Sequence, residues 1–285
     1  MVKIITDIGY CYGVKNAIDI LHQAGKENNR VYLTHPLIHN KEENNRLMEE
    51  NNAAIYLKQP LTPNDAILFS AHGHGKKEEE EFLGKARLYD ATCPLILKRY
   101  LRLKDSMTED TQYFFLGKKG HQETLGFLEN FPFLEFIDVS CYIEEELSKR
   151  IHPQKDLALI PQTTISKEKY DTAYSLLLKT GRLRLALPIC PLYSRRAEDA
   201  IDFLKGKKVK DSIVMVLGDQ SSSNAQELKK AIQDAYPGLE VHILTGLYGF
   251  DKSKLQGKDV FLTSATSYPE ENVIKVKEEL EAYFR

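Results

Sequence analysis

The sequence has no long apolar run: nothing in it approaches the ~18 consecutive apolar residues that a membrane-spanning helix needs. Met1 leads into the strand-like KIIT of residues 3–6 rather than into a secretory leader, so the chain reads as cytoplasmic. An excess of either charge is also missing. The 39 basic and 41 acidic residues leave a net charge of -2, which argues against a general nucleic-acid or anionic-membrane surface. An anionic ligand must therefore be met locally. Cysteine is sparse, with four residues (Cys11, Cys93, Cys141 and Cys190) and no close Cys-x-x-Cys pair. Without secretion signals, reduced thiols serving a metal, a cluster or the core are favoured over disulfides. Neither a P-loop nor a G-x-G-x-x-G run occurs, so an ordinary nucleotide site has no support.

What is present is globular α/β material, with 42% apolar and 28% charged residues in 285. Short aliphatic runs alternate with helical patterns: RVYL before NKEENNRLMEE, AILFSA before KKEEEEFLGKA, QYFFLG before HQETLGFLEN, and likewise after DLALIP, SIVMVLG and DVFLTSA. The alternation predicts mostly parallel sheets with crossover helices. A weak repeat overlies it, because Cys11, Cys93 and Cys190 each follow a strand-like segment and precede a helix. The repeat divides the chain into three small α/β domains, 12–93, 94–190 and 191–285, with 1–11 packing beside the third.

Pro94 and Pro191 follow their cysteines at what reads as the first helical position, which puts Cys93 and Cys190 at N-caps. The free N–H groups and dipole of a helix start stabilise a thiolate and favour metal ligation. Closed zinc sites normally take four protein ligands, whereas three thiolates on a cubane leave one iron open as a Lewis acid toward a substrate oxygen. Cys141 lacks the helix-start proline and is expected to be structural, as a small buried hydrophobe. The acidic runs at 78–81 and 144–149 read as solvated helix faces.

In open α/β sheets, ligands gather at the carboxyl ends of strands. The loops there hold His35 and His39, His72 and His74, Lys118, Lys119, His121 and Glu123, Gln162 to Thr164, Ser221 to Asn224, and Ser264, Thr266 and Ser267. Hydroxyls, amides and histidines at helix starts are the donors a phosphate requires. His22 and His152 read as background. Ser267-x-x-Glu270 also reads as a capping box, and Asn40-x-x-Glu43 as a similar cap.

Taken in order, GYCYGVKNAI, HPLIHN, FSAHG, DATCPL, GHQE, QTT, the cysteine of ICPLYSRR, SSSN and SYPE resemble the 4-hydroxy-3-methylbut-2-enyl diphosphate reductase family, the LytB-like iron–sulfur reductases. The resemblance implies a trefoil of three α/β domains around a [4Fe-4S] cluster on Cys11, Cys93 and Cys190. It implies a diphosphate pocket of His39, His72, His121, Ser222, Ser223, Asn224 and Ser267, with Glu123 as proton source and Thr163 orienting the substrate hydroxyl, both beside the reacting end, and His121 as a further catalytic residue. The implied reaction is reductive dehydroxylation of that small diphosphate to isopentenyl and dimethylallyl diphosphate, with electrons from an external ferredoxin or flavodoxin, since no flavin or nicotinamide signature is visible. Tyr12, Lys118, Pro161 and Pro191 depart from the family's usual residues. A related [4Fe-4S] enzyme on another small phosphorylated or unsaturated substrate, a non-catalytic iron–sulfur sensor and a zinc-binding structural protein are the competing readings.

Overall fold

The computed structural model describes residues 1–38 and 40–285, and of Tyr193 the backbone alone; His39 lies outside the described residues. In chain order the elements are β1 (Val2–Ile4), α1 (Tyr12–Glu27), β2 (Arg30–Leu33), α2 (Lys41–Glu50), β3 (Ala53–Ile55), β4 (Asp65–Phe69), α3 (Lys76–Phe82), β5 (Arg87–Asp90), α4 (Pro94–Asp105), β6 (Thr111–Gly117) and α5 (Gln122–Asn130). Then follow β7 (Glu135–Asp138), α6 (Ile143–Arg150), β8 (Asp156–Pro161), α7 (Lys167–Lys179), β9 (Leu183–Ala186), α8 (Pro191–Leu204), β10 (Ser212–Leu217), α9 (Ser223–Ala235), β11 (Glu240–Leu244), β12 (Asp259–Ser264) and α10 (Glu270–Tyr283). The α/β class expected from the alternating pattern is what forms. Among the described residues, no helix is long and apolar enough to cross a membrane.

The strands form three four-stranded sheets, ordered β3-β2-β4-β5, β7-β6-β8-β9 and β11-β10-β12-β1, and every strand pair is parallel. The three orders are the same pattern, with β1 filling the fourth place of the last sheet. Parallel neighbours cannot be joined by a tight turn, so each connection must cross over, and here most crossovers carry a helix.

Two compact units hold these sheets: one consists of 1–15, 38–45 and 191–285, the other of 16–37 and 46–190. In the first unit, the DSIVMVLG and KDVFLTSA segments supply the two central strands, and their side chains divide by parity. Ile213, Met215 and Leu217 pack with Val273, Val276 and Leu280 of α10, whereas Val214 and Val216 pack with Ala225, Leu228 and Ile232 of α9. Burial on both faces explains why the run is apolar throughout instead of alternating. In the second unit, β6 and β8 have the same character, and their sheet carries an aromatic core. Phe127 of α5 is fully buried, with its ring 4.6 Å from Tyr100 and 4.9 Å from Phe115.

Cys141 corrects the sequence reading: it is exposed, in the turn before α6, with its N–H donated to the Asp138 carbonyl. Cys141 lies two residues before the helix, where Val139 and Ile143 on either side turn inward and Cys141 and Tyr142 stay outside. The run at 78–81 is solvated except for Glu78, which is half-buried and 3.5 Å from His35.

Phe127→Ala should lower folding stability by ~3–5 kcal/mol, the usual cost of emptying a buried aromatic site. The urea midpoint of the unfolding transition checks this.

Candidate active site

The second unit brings five of the anticipated residues into contact around one carboxylate. Glu123 sits in the first turn of α5 and is 1% exposed. His121, the N-cap, accepts the Glu123 N–H on Nδ1 at 3.2 Å, and its ring meets His72 edge-on at 5.5 Å between centroids. Thr163 lies two residues past the end of β8. Its N–H donates to Glu123 Oε1 at 2.8 Å, and its hydroxyl donates to Oε2 at 2.6 Å. The Thr163 carbonyl in turn accepts the N–H of Cys190 at 2.8 Å.

Arg99 completes this shell. It comes from α4, is 4% exposed, and places Nη1 3.3 Å from Glu123 Oε1 while Nη2 donates to the Pro188 carbonyl at 3.1 Å. Burial raises the Glu123 carboxyl above its ordinary value, with the Arg99 charge and the two Thr163 donors pulling the other way. Burial equally works against the guanidinium, which Glu123 first and the Cys190 thiol next help to hold. Each charge is the other's main compensation.

Other anticipated members of this unit are engaged elsewhere. His35 lies between Gln122, 2.7 Å away, and Glu78. His74 stacks on Phe69 at 3.9 Å and faces Glu79 and Asp90. Gln162 is fully buried, accepting the Lys118 N–H at 2.9 Å and donating to the Thr164 hydroxyl at 2.9 Å, so it fastens one loop to the next. Cys93 donates its N–H to the Ala71 carbonyl at 3.0 Å, directly before His72.

The other unit gathers a second set. Cys11 donates its N–H to the Thr266 carbonyl at 3.0 Å, and the Thr266 N–H donates to Asn224 Oδ1 at 2.8 Å. Ser222 is the N-cap of α9, its hydroxyl accepting the Ala225 N–H at 3.4 Å, and Ser223 and Asn224 open that helix. Ser267 is mostly buried beside Thr266, but it is not a helix cap: Pro269 occupies the N-cap of α10, and Ser267 stands outside the helix. The capping-box reading fails because proline takes the cap position. Asn40 does cap α2, accepting the Glu43 N–H at 3.1 Å. A cleft of about 530 Å³ adjoins Cys11, lined by Tyr12, Arg195, Arg196 and Glu270 among others.

All four cysteines are free thiols, and Cys11, Cys93 and Cys190 are each half-buried immediately before a helix. Among the described residues, no group of three His, Cys, Asp or Glu could hold a single metal ion. A cubane distributes its thiolates over different irons, and soft thiolates at helix starts are its natural donors, so the donor chemistry fits that group. Sequence reasoning missed Arg99 and Arg196. Their signal is a shared spacing: each follows a Cys-Pro-Leu by the same step, in CPLILKR and CPLYSRR.

Because the folded-state value of Glu123 is raised, its contribution to stability is full below the ordinary carboxylate pKa of 4.5 and is lost as pH rises through that raised value. The groups facing it are Arg99, His121, Thr163 and, more remotely, Tyr100. The stability of the wild type minus that of Glu123→Gln should therefore fall from pH 4.5 upward, as measured by urea unfolding across pH.

Comparison with known proteins follows the same outline. A family model described as LytB protein matches residues 2–281. Two similar relatives, both called 4-hydroxy-3-methylbut-2-enyl diphosphate reductase, come from Polaromonas sp. strain JS666 and Pseudomonas putida strain GB-1. The first is 28% identical over 96% of this chain and 82% of its own, and the second is 26% identical over 99% and 90%. The solved E-1-hydroxy-2-methyl-but-2-enyl-4-diphosphate reductase from Plasmodium falciparum shares the fold with a TM-score of 0.85 at 24% identity, over 98% of this chain and 87% of that one. A second solved structure, of (E)-4-hydroxy-3-methyl-but-2-enyl diphosphate reductase, has a TM-score of 0.68 at 22% identity over 99% of both chains.

Proposed function

Because the chain belongs to the LytB protein family, we propose that it is a 4-hydroxy-3-methylbut-2-enyl diphosphate reductase, acting in the cytoplasm. It replaces the substrate's C–OH bond by C–H, using two electrons and two protons and releasing water, to give isopentenyl or dimethylallyl diphosphate. The observation that carries the reading is what Thr163 holds: its N–H and hydroxyl donate to the buried Glu123 carboxylate, and its backbone carbonyl accepts the backbone N–H of Cys190. A sensor has no use for a buried carboxylate and hydroxyl held by the residue that also holds its cysteine's backbone; a dehydroxylase has.

Enzymes of this family are iron–sulfur proteins. Cys11, Cys93 and Cys190 would hold a [4Fe-4S] cluster, which supplies single electrons and a Lewis-acidic iron. The remaining work belongs to the chain. Thr163, its hydroxyl oxygen still able to accept, orients the substrate hydroxyl; Glu123, kept protonatable by burial, passes its proton through Thr163 to the departing oxygen. Arg99 holds the carboxylate in place once the proton has gone. The diphosphate is bound by His39, His72, His121, Ser222, Ser223, Asn224 and Ser267, whose N–H and O–H donors match an anion; Ser222, Ser223 and Asn224 offer theirs at the start of α9. The electrons come from an external ferredoxin or flavodoxin.

In an anaerobic assay with reduced donor in excess, Glu123→Gln should retain iron and sulfide and lower kcat by ~10²–10⁴-fold, with KM little changed. Wild-type turnover in that variant would remove Glu123 from the proton path. Serine at Cys11, Cys93 or Cys190 should abolish stoichiometric iron and acid-labile sulfide, while Cys141→Ser should not. Zinc without sulfide in anaerobically prepared wild type would refute the cluster.

A further inference from the structure

The two buried arginines repeat one construction in two separate units. Arg99 stands six residues after Cys93, and its Nη2 donates at 3.1 Å to the carbonyl of Pro188, two residues before Cys190. Arg196 stands six residues after Cys190, and its Nη2 donates at 2.8 Å to the carbonyl of Gly9, two residues before Cys11. In each case the cysteine's own N–H is tied to a carbonyl two residues past the end of a central strand: Thr163 after β8 for Cys190, and Thr266 after β12 for Cys11. The helix that follows one cysteine thus clamps the loop that enters the next. The matching position after Cys11 is the buried Ala17, so the clamp is made at two of the three cysteines.

Gly9 shows how closely the loop is fitted. Its φ of +81° is a conformation that side chains rarely adopt, and a Cβ there would lie 2.9 Å from the Cβ of Glu270. Its N–H donates to the Ser264 hydroxyl at 3.2 Å, and Arg196 Nη1 reaches the Ser264 carbonyl at 3.0 Å. One guanidinium therefore bridges the end of β12 to the approach of Cys11.

A loop staple alone does not require a cation. Arg196 is 7% exposed, and its hydrogen bonds go to two carbonyls and a hydroxyl, none of which carries charge. Burying a guanidinium among neutral acceptors is costly unless an anion answers it. The ionisable groups that act on it are Cys11 first and Asp7 second, and Cys11 lines the same cleft as Arg196. Arg99 has Glu123, but Cys190 and Cys93 also act on it. Both cations are thus set beside thiols.

Resting on the iron–sulfur reading above, we propose that Arg196 and Arg99 are positioning residues for the cluster ligands. Each locks the loop entering the next cysteine and sets a fixed positive charge beside the thiolates. Three thiolates make the bound assembly anionic, and an added electron makes it more so. A buried cation alongside favours the reduced form and raises the reduction potential. The bridged loop holds the ligand sulfur at its place and slows loss of iron.

Arg196 gives the cleaner test, since among the described residues it is bonded to no carboxylate. Wild type, Arg196→Met, Arg196→Lys and the control Arg184→Met, which removes the same charge from an exposed pair with Asp156, are reconstituted anaerobically with iron and sulfide. Iron release to a chelator and the midpoint potential in an electron-paramagnetic-resonance titration are read for each. Arg196→Met should release iron ~10–100-fold faster, the range for residues that support metal ligands, with a more negative potential. Arg196→Lys keeps the charge but not the fork, so its potential should recover toward wild type while release stays faster. Arg184→Met should match wild type in both. Wild-type release and potential in Arg196→Met overturn the proposal. If the methionine variant does not fold, wild-type release in Arg196→Lys, where one arm of the bridge is gone, overturns it. Wild type that takes up no sulfide refutes the iron–sulfur reading itself, and the proposal falls with it; loss seen only in the variants leaves that reading standing and supports the proposal.

Discussion

Thr163 commits its backbone and its hydroxyl to two residues, Glu123 and Cys190. Its N–H and O–H grip both oxygens of Glu123, and its carbonyl holds the N–H of Cys190. A single residue just past the end of a buried strand therefore ties a carboxylate to the backbone of a cysteine. The strand makes this possible: β8 is buried throughout except at its first residue, hydrogen-bonded to a neighbour on each side, and cannot shift without breaking the sheet. The position of Glu123 is thus inherited from the sheet and does not depend on the loop alone.

The same principle holds for the other two cysteines. Ala71 after β4 and Thr266 after β12 take the N–H groups of Cys93 and Cys11 in the way Thr163 takes that of Cys190. In all three sheets the strand that supplies the carbonyl lies next to the strand that leads to the cysteine: β4 beside β5, β8 beside β9, β12 beside β1. Register in a parallel pair is set by the sheet's hydrogen bonds, so one repeated strand order yields three similarly held thiols.

Burial gives this arrangement its electrostatic character. Glu123 and Arg99 are almost fully removed from water, where an unpaired charge is expensive, and each offsets part of the other's cost. Water exclusion also strengthens what remains. Among the described residues Glu123 is met by Thr163 and Arg99, and the arginines act on nearby thiols through a medium that screens them little.

Local chemistry made much of this legible in the residues themselves. Apolar runs alternating with amphipathic ones determined parallel sheets and crossover helices, because a parallel strand covered on both faces must be apolar throughout. Proline directly after Cys93 and Cys190 determined that a helix starts there, since proline fits the first turn and little else in a helix. Tertiary structure decided the rest. Ser267-x-x-Glu270 has the letters of a capping box, yet Pro269 holds the cap; Cys141 has the character of a core residue, yet lies in an exposed turn. Arg99 and Arg196 look in sequence like ordinary basic residues on helices that carry several; a shared spacing from Cys-Pro-Leu sets them apart from the exposed Arg195, but that spacing does not say which way a side chain turns. Which basic side chain turns inward is fixed by the carbonyls of Pro188 and Gly9, and these arrive from segments 89 and 187 residues away. Short-range patterns record which element forms, because helix and strand are held by near neighbours; they do not record which distant carbonyl will need a partner, because that is settled only when the sheets bring the loops together.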